Sequence, residues 1–213
     1  MKDNVFFVSG IDTNVGKSYA TGYLAKTWNE QGVRTITQKF IQTGNVGMSE
    51  DIELHRKIMG TGLLPEDGSG LTMPEIFTYP CSPHLAAEID HRPIDFDKIE
   101  KATRQLSETY DAVLLEGAGG LMVPLTRDLL TIDYVAQKNY PLIFVTSGKL
   151  GSINHTLLSL EAITRRGIRL HTVAYNLFPE EDDDIIRRDT EAYIRDLLAK
   201  EYPETHFVVI PKL

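Results

Sequence analysis

The chain has 213 residues, 22 of them basic and 30 acidic for a net charge of −8, and a single cysteine. That length suits one domain with a substantial core, and the acidic balance offers no cationic field for nucleic acid or an anionic membrane, so any bound anion has to be held locally. Cys81 alone excludes an intrachain disulfide and a multi-cysteine metal site, and no apolar run approaches the roughly 20 residues of a membrane span.

Met1 to Asn4 leads into an apolar run with no signal-peptide layout, so a cytoplasmic chain is expected. That run, Val5-Phe6-Phe7-Val8, reads as a buried strand and is followed by Gly10-Ile11-Asp12-Thr13-Asn14-Val15-Gly16-Lys17-Ser18. Strand, glycine-bearing loop and helix start together make a phosphate cradle. Gly10 lets the chain leave the strand sharply, Gly16 lets the backbone approach an anion, and the N–H groups at Lys17 and Ser18 open a helix with its positive end toward that anion. Lys17 supplies a cation for terminal phosphates and Ser18 a hydroxyl for magnesium, although five residues rather than the usual four separate the glycines.

From Ser18 to Gln31 apolar residues recur at helical spacing (Tyr19, Tyr23, Leu24, Thr27, Trp28), and Gly32 marks the stop. Val33 to Ile41 is β-rich, with Lys39 near its C-terminal end and Gln42-Thr43-Gly44 turning the chain. Ser49 can cap a helix whose first turn holds Glu50, Asp51 and Glu53, followed by Ile52, Leu54, His55 and Ile58. Asp51 therefore either complements the helix dipole or faces magnesium and phosphate.

Residues 60–83 are rich in Gly and Pro around Ile76-Phe77-Thr78-Tyr79, which reads as a long functional loop with an edge strand. Cys81 and His84 lack an orienting third group, which favours packing or substrate lining over a nucleophile and its base. A short helix is predicted over 83–89 and a clearer one, capped by Asp95, through Tyr110. Ala112-Val113-Leu114-Leu115 reads as a strand buried on both faces, delivering Glu116 into the glycine-rich loop Gly117-Ala118-Gly119-Gly120. At that strand end a magnesium role for Glu116 is favoured over a satisfied polar residue, because the glycines clear room for an approaching group.

A helix over 129–139 and a strand over 141–146 precede Ser147-Gly148-Lys149-Leu150-Gly151-Ser152-Ile153-Asn154 and a helix ending near Gly167. That second loop-fed helix start can hold a carboxylate or be an ordinary cap. A strand over 170–175 ends at Asn176, an acidic helix start at 180–184 leads a charged helix to Lys200, and 206–210 is the last strand. His155, His171 and His206 have no ligand-like spacing and read as structural. Six strands alternating with helices predict an α/β fold, one domain over 1–213, with a doubly wound, mostly parallel sheet, helices on both faces and a site at the strand ends.

Five segments in this order resemble the dethiobiotin synthetases: Gly10 to Ser18, Lys39-Phe40-Ile41-Gln42-Thr43-Gly44, Ser82-Pro83-His84, Glu116 to Gly120, and Lys149 to His155. The resemblance spans residue 5 to about residue 176. It implies a homodimeric P-loop enzyme that uses MgATP and CO2 to convert 7,8-diaminononanoate into dethiobiotin, through a carbamate and a carbamic-phosphoric anhydride. By that likeness Lys17 holds the β- and γ-phosphates, Ser18, Asp51 and Glu116 surround magnesium, and Lys39 is the catalytic cation. Thr13, Asn14, Val15, Gly16, Tyr19, Gly117, Ala118, Gly119, Asn176 and Leu177 would complete the ATP site. Thr43 and the segment Leu150, Gly151, Ser152, Ile153 and Asn154, the latter offered across the dimer, would take the substrate.

Three positions depart from the family pattern. Phe40 stands where a proline is usual, with an altered loop stiffness expected; Asn14 replaces an acidic residue; and Leu177 follows Asn176 where adenine-reading members often carry Asp. The rival readings are a nucleotide-switch ATPase of the partitioning or positioning type and another amide- or urea-forming ligase of the same fold. Many such switches carry a lysine five residues before the P-loop lysine, where this chain has Asp12.

Overall fold

Strand β1 (Val5–Gly10) lies at the centre of the sheet because Phe7 and Val8 are both fully buried and point to opposite faces, as successive residues of a strand must. The computed structural model describes residues 4–178 and 183–212. In chain order α1 (Lys17–Glu30), β2 (Thr35–Lys39), β3 (Gln42–Thr43), α2 (Glu50–Met59), α3 (Pro65–Gly68) and β4 (Ile76–Phe77) follow. Then come α4 (Pro83–Ile89), α5 (Phe96–Thr109), β5 (Ala112–Gly120), α6 (Thr131–Lys138), β6 (Leu142–Ser147), α7 (Ser152–Arg165), β7 (Leu170–Asn176), α8 (Asp184–Glu201) and β8 (His206–Ile210).

The main sheet has six strands in the order β2-β5-β1-β6-β7-β8, and every described pairing is parallel. On one face Val8, Leu114 and Ile143 pack with Ala20 and Leu24 of α1. On the other, Phe7, Leu115, Phe144 and Val173 pack with Ile99 of α5, Ile132 of α6 and Ile163 of α7. The chain leaves β1 for β2 on one side, returns through β5, and then winds outward through β6 on the other. The loop after β1 thus sits at the switch point of the sheet, where a crevice opens at the strand ends.

Several sequence expectations change. Of the expected α1 stripe Leu24 is buried and Tyr23 and Trp28 are partly buried against the same core, but the deepest face also takes in Ala20, Thr21 and Ala25, where α1 packs closely on α2: a Cβ at Gly22 would come 3.1 Å from Ile58. The 76–77 segment is not an edge of the main sheet. As β4 it pairs in parallel with β3, Gln42 beside Ile76 and Thr43 beside Phe77, in a separate two-stranded sheet. Inside the Gly- and Pro-rich stretch, α3 is held by Asp67, which accepts from the Leu64 N–H at 2.7 Å. Phe40 is a core side chain rather than a loop stiffener: it is fully buried, with its ring 4.8 Å from that of Tyr134 and 5.5 Å from that of Phe7. The acidic stretch at 180–182 lies outside the described residues, and α8 begins at Asp184 behind the Asp183 cap.

Candidate active site

The loop between β1 and α1 has the backbone that its residues dictate. Asn14 and Gly16 both take positive φ, 59° and 83°, a conformation that Asn tolerates better than most residues and Gly adopts freely. At Gly16 any Cβ would come 2.0 Å from Asn176 Nδ2. That close approach has a purpose: the buried Asn176 amide donates to the Val15 carbonyl at 3.0 Å and fastens the loop to the end of β7.

Register brings the next residues together. Lys39, the last residue of β2, is the register partner of Glu116 on β5, so the parallel pairing places an ammonium beside a carboxylate. Lys39 Nζ lies 2.8 Å from Glu116 Oε1 and 2.5 Å from Asp51 Oδ2. Asp51 comes from the first turn of α2, whose N-terminus is capped by Ser49 Oγ accepting from the Ile52 N–H at 3.2 Å. Ser18 Oγ, in the first turn of α1, is 2.7 Å from Asp51 Oδ1 and 2.9 Å from Glu116 Oε1.

Burial would strip Lys39 of its proton, but Glu116 and then Asp51 reverse that and raise its pKa, keeping it an ammonium. Burial likewise opposes the Glu116 charge, yet Lys39 and His55 prevail and hold its carboxyl well below the usual range. Lys17 is buried as well and donates from Nζ to the Asp12 carbonyl at 2.8 Å. Burial, then the nearby Lys39 charge, push its pKa down to about 8 against the pull of Glu116, Asp51 and Asp12.

The three oxygens Ser18 Oγ, Asp51 Oδ1 and Glu116 Oε1 fit a magnesium ion. Both carboxylates are within hydrogen-bonding distance of one hydroxyl, whose single proton can serve only one of them. Hard oxygen donors with surplus negative charge suit that ion, and the set contains no soft ligand.

These groups line one cleft of about 780 Å³. It brings together Thr13, Asn14, Val15, Gly16, Lys17, Ser18 and Tyr19 from the loop and α1 with Lys39, Thr43, Asp51 and Glu116. Ala118 and Gly119 also line it, as do Leu150 and Ser152 from the loop after β6 and the start of α7. Gly151, Ile153 and Asn154 adjoin that segment without lining the cleft. Ser152 is buried, its Oγ 3.0 Å from Ser147 Oγ, whereas Leu150 is 74% exposed.

Other positions differ from expectation. Glu116 does not end its strand: β5 continues to Gly120, which pairs with Gly10. Gly117 clears room for the core rather than for a ligand, since a Cβ there would meet the Phe7 ring at 2.8 Å, although its carbonyl is 3.4 Å from Lys39 Nζ. Asn176 acts on the loop backbone, and Leu177 packs against the main core. Phe178 joins Tyr19 on the cleft wall, the two rings 5.2 Å apart. His155, expected to be structural, is exposed and lines the cleft. Cys81 and His84 make no dyad: the thiol donates to the Ser82 carbonyl at 3.5 Å, and His84 Nδ1 is 3.1 Å from Ser82 Oγ.

His55 was legible only as a helix residue. It is fully buried, with Nε2 2.7 Å from Glu116 Oε2. Its position four residues after Asp51 is the signal that could have found it, because i and i+4 share a helix face.

A family model described as an AAA domain matches residues 4–213. The ATP-dependent dethiobiotin synthetase BioD 2 of Pasteurella multocida strain Pm70 is 53% identical over 206 residues, covering 97% of this chain and 96% of the relative. The protein of the same name from Haemophilus influenzae is 57% identical over 184 residues, 86% of this chain and 96% of the relative. Among solved structures, the MinC:MinD cell division protein complex of Aquifex aeolicus aligns with a TM-score of 0.57 at 12% identity, covering 99% of this chain and 82% of that one. That is a likeness of fold alone.

Proposed function

The chain belongs to the ATP-dependent dethiobiotin synthetases and forms dethiobiotin at the expense of ATP in biotin biosynthesis, and we propose that the cleft between β1, β2 and β5 is where it does so. The observation that carries this reading is the convergence of two buried lysines, Lys17 and Lys39, with Ser18, Asp51 and Glu116 at the switch point of a parallel sheet.

One amine of 7,8-diaminononanoate attacks CO2 and loses a proton, giving a carbamate. A carbamate oxygen then attacks the γ-phosphorus, and the bond from that phosphorus to the bridging oxygen breaks as ADP leaves. The second amine attacks the carbamoyl carbon, the C–O bond to phosphate breaks, and the amine's proton is released as the cyclic urea closes. Phosphoryl transfer of this kind depends on positioning and charge neutralisation more than on covalent chemistry by the protein. Lys17 and the N–H groups opening α1 bind the β- and γ-phosphates. Lys39, held in the cleft by its carboxylates, faces the oxygens shared by carbamate and γ-phosphate. Ser18, Asp51 and Glu116 would hold magnesium, which supplies charge neutralisation on the triphosphate when bound.

Thr43 and the Leu150 to Asn154 segment take the diamine, with the N-terminus of α7 suited to its carboxylate. The α7 segment serves the site of a second copy. Met122, Leu150 and Leu158, exposed around His155, support a homodimer through this face. Residues 1–213 act as one ligase domain. The net charge of −8 and the lone cysteine support a cytoplasmic enzyme without nucleic-acid or membrane partners, and among the described residues no helix is long and apolar enough to cross a membrane.

The test is phosphate release from ATP with bicarbonate, with and without 7,8-diaminononanoate. Release that depends on the diamine and matches dethiobiotin formed supports the assignment; release indifferent to the diamine contradicts it.

A pH dependence follows from Lys17. Its ammonium is what the triphosphate needs, and in the free protein it loses its proton with a pKa of about 8. MgATP affinity should therefore be full below pH 7 and weaken as pH rises through 8, by about tenfold between pH 7 and 9 in calorimetric titrations. In Lys17→Arg, whose guanidinium stays charged, that slope should vanish. A wild-type affinity flat across this range would separate Lys17 from the triphosphate.

A further inference from the structure

We propose that His55 is a positioning residue for Glu116, aiming one carboxylate oxygen at the metal and phosphate side of the cleft by binding the other from behind. This rests on the reading above that Ser18, Asp51 and Glu116 hold magnesium.

The two oxygens of Glu116 have separate partners. Oε1 faces Ser18 Oγ and Lys39 Nζ, the groups of the cleft, whereas Oε2 turns away and meets only His55 Nε2, at 2.7 Å, among the described contacts. Glu116 is fully buried, so Oε2 has no water to turn to, and the ring fixes the plane of the carboxylate. Because a carboxylate only accepts, Nε2 carries the hydrogen.

The ring is itself held. His55 Nδ1 is 3.0 Å from Thr37 Oγ1, on the strand that carries Lys39 two residues on. Thr37 Oγ1 already accepts from Arg56 Nη1 at 2.8 Å, so the threonine's own O–H is left to donate to the imidazole. Arg56 in turn is fixed by two hydrogen bonds to Asp67, each 2.8 Å. A buried chain thus runs from α3 through Asp67, Arg56, Thr37 and His55 to Glu116. Since α2 carries both Asp51 and His55 one turn apart, the same helix supplies one magnesium-side carboxylate and orients the other.

The experiment measures the free Mg2+ concentration giving half-maximal dethiobiotin formation, together with calorimetric binding of a non-hydrolysable ATP analogue with Mg2+ and in EDTA. His55→Leu is expected to raise the Mg2+ requirement and the Mg2+-dependent Kd by about ten- to a hundredfold. Binding in EDTA should stay near wild type. His55→Gln, whose carboxamide N–H can replace the Nε2 donor, should recover most of the loss, which a merely space-filling role would not allow. Should His55→Leu fail to fold, Thr37→Val keeps the ring and removes the hydroxyl that aims it, and should shift the Mg2+ requirement in the same direction; an unchanged requirement there overturns the proposal. Glu116→Gln separates the two readings. If it shifts the Mg2+ requirement and His55→Leu does not, the positioning role falls and the magnesium site stands. If neither variant shifts it, both fall.

Discussion

Lys39→Ala is expected to lower kcat for dethiobiotin formation by about 10²–10³-fold while MgATP binding remains near wild type, because the ammonium is needed chiefly where charge develops during phosphoryl transfer. Its surroundings are built for that use. Lys39 is 5% exposed, two carboxylates lie within 2.8 Å, and its pKa is raised, so it enters every turnover charged. The same contacts predict a second consequence. Without the ammonium, Glu116 is a fully buried carboxylate facing Asp51 with one cation fewer, and breaking a buried pair in this way costs about 3–5 kcal/mol. The variant should therefore melt below wild type in EDTA and recover part of the loss in Mg2+, a recovery larger than wild type shows. Steady-state kinetics with calorimetry and thermal melts checks both parts; wild-type kcat in Lys39→Ala would remove this residue from the mechanism.

Arg56→Met should destabilise the protein by about 3–5 kcal/mol in urea unfolding. The side chain is among the largest that are fully buried, and Asp67 is 2% exposed. Beyond Arg56, Asp67 accepts from the Leu64 N–H and from Thr72 Oγ1 at 2.6 Å, so this one carboxylate ties α2, α3 and the turn after it. Methionine keeps most of the stem but leaves the charge stranded. Burial would raise the Asp67 pKa, yet the hydrogen bonds from Arg56, Thr72 and Leu64 bring it below the ordinary carboxylate value. With a depressed folded pKa, the stabilisation is present above the ordinary carboxylate range and is lost as pH falls through the folded value. The gap between wild type and variant should accordingly be full at pH 7 and narrow on acidification. Replacing both partners by apolar residues should cost less than Arg56→Met alone, and a double-mutant cycle measures the coupling. A single variant as stable as wild type would contradict the account of this network.

The parts of the site that were legible in the sequence are those set by local rules. The glycine-bearing loop between a strand and a helix identified Lys17 and Ser18, and an acidic first turn identified Asp51 without saying which of its two roles held. Lys39 and Glu116 stood at predicted strand ends, and parallel register made them neighbours. What stayed hidden depended on contacts between distant segments. The pairing of β3 with β4 joins two residues to two others more than 30 positions on, too short a run for any periodicity to announce. The continuation of β5 to Gly120 reflects its pairing with β1, against the loop-like composition of Gly117 to Gly120. Phe40, set against the family pattern as a change of loop stiffness, is explained only by the Phe7 and Tyr134 rings it meets. His55 looked like one more position on an amphipathic helix until the fold set Glu116 behind it.

The proposed chemistry is tested most directly by following oxygen. If a carbamate oxygen attacks the γ-phosphorus and the carbamoyl carbon later expels phosphate, one oxygen of CO2 must leave in the phosphate. With 18O-labelled CO2, sampled before it exchanges with water, mass spectrometry should find one labelled oxygen in each phosphate formed together with dethiobiotin, and no label transfer without the diamine. Phosphate released without label while dethiobiotin accumulates would mean that the carbamate never meets the γ-phosphate, and the cleft of Lys17, Lys39 and Glu116 would need another chemistry.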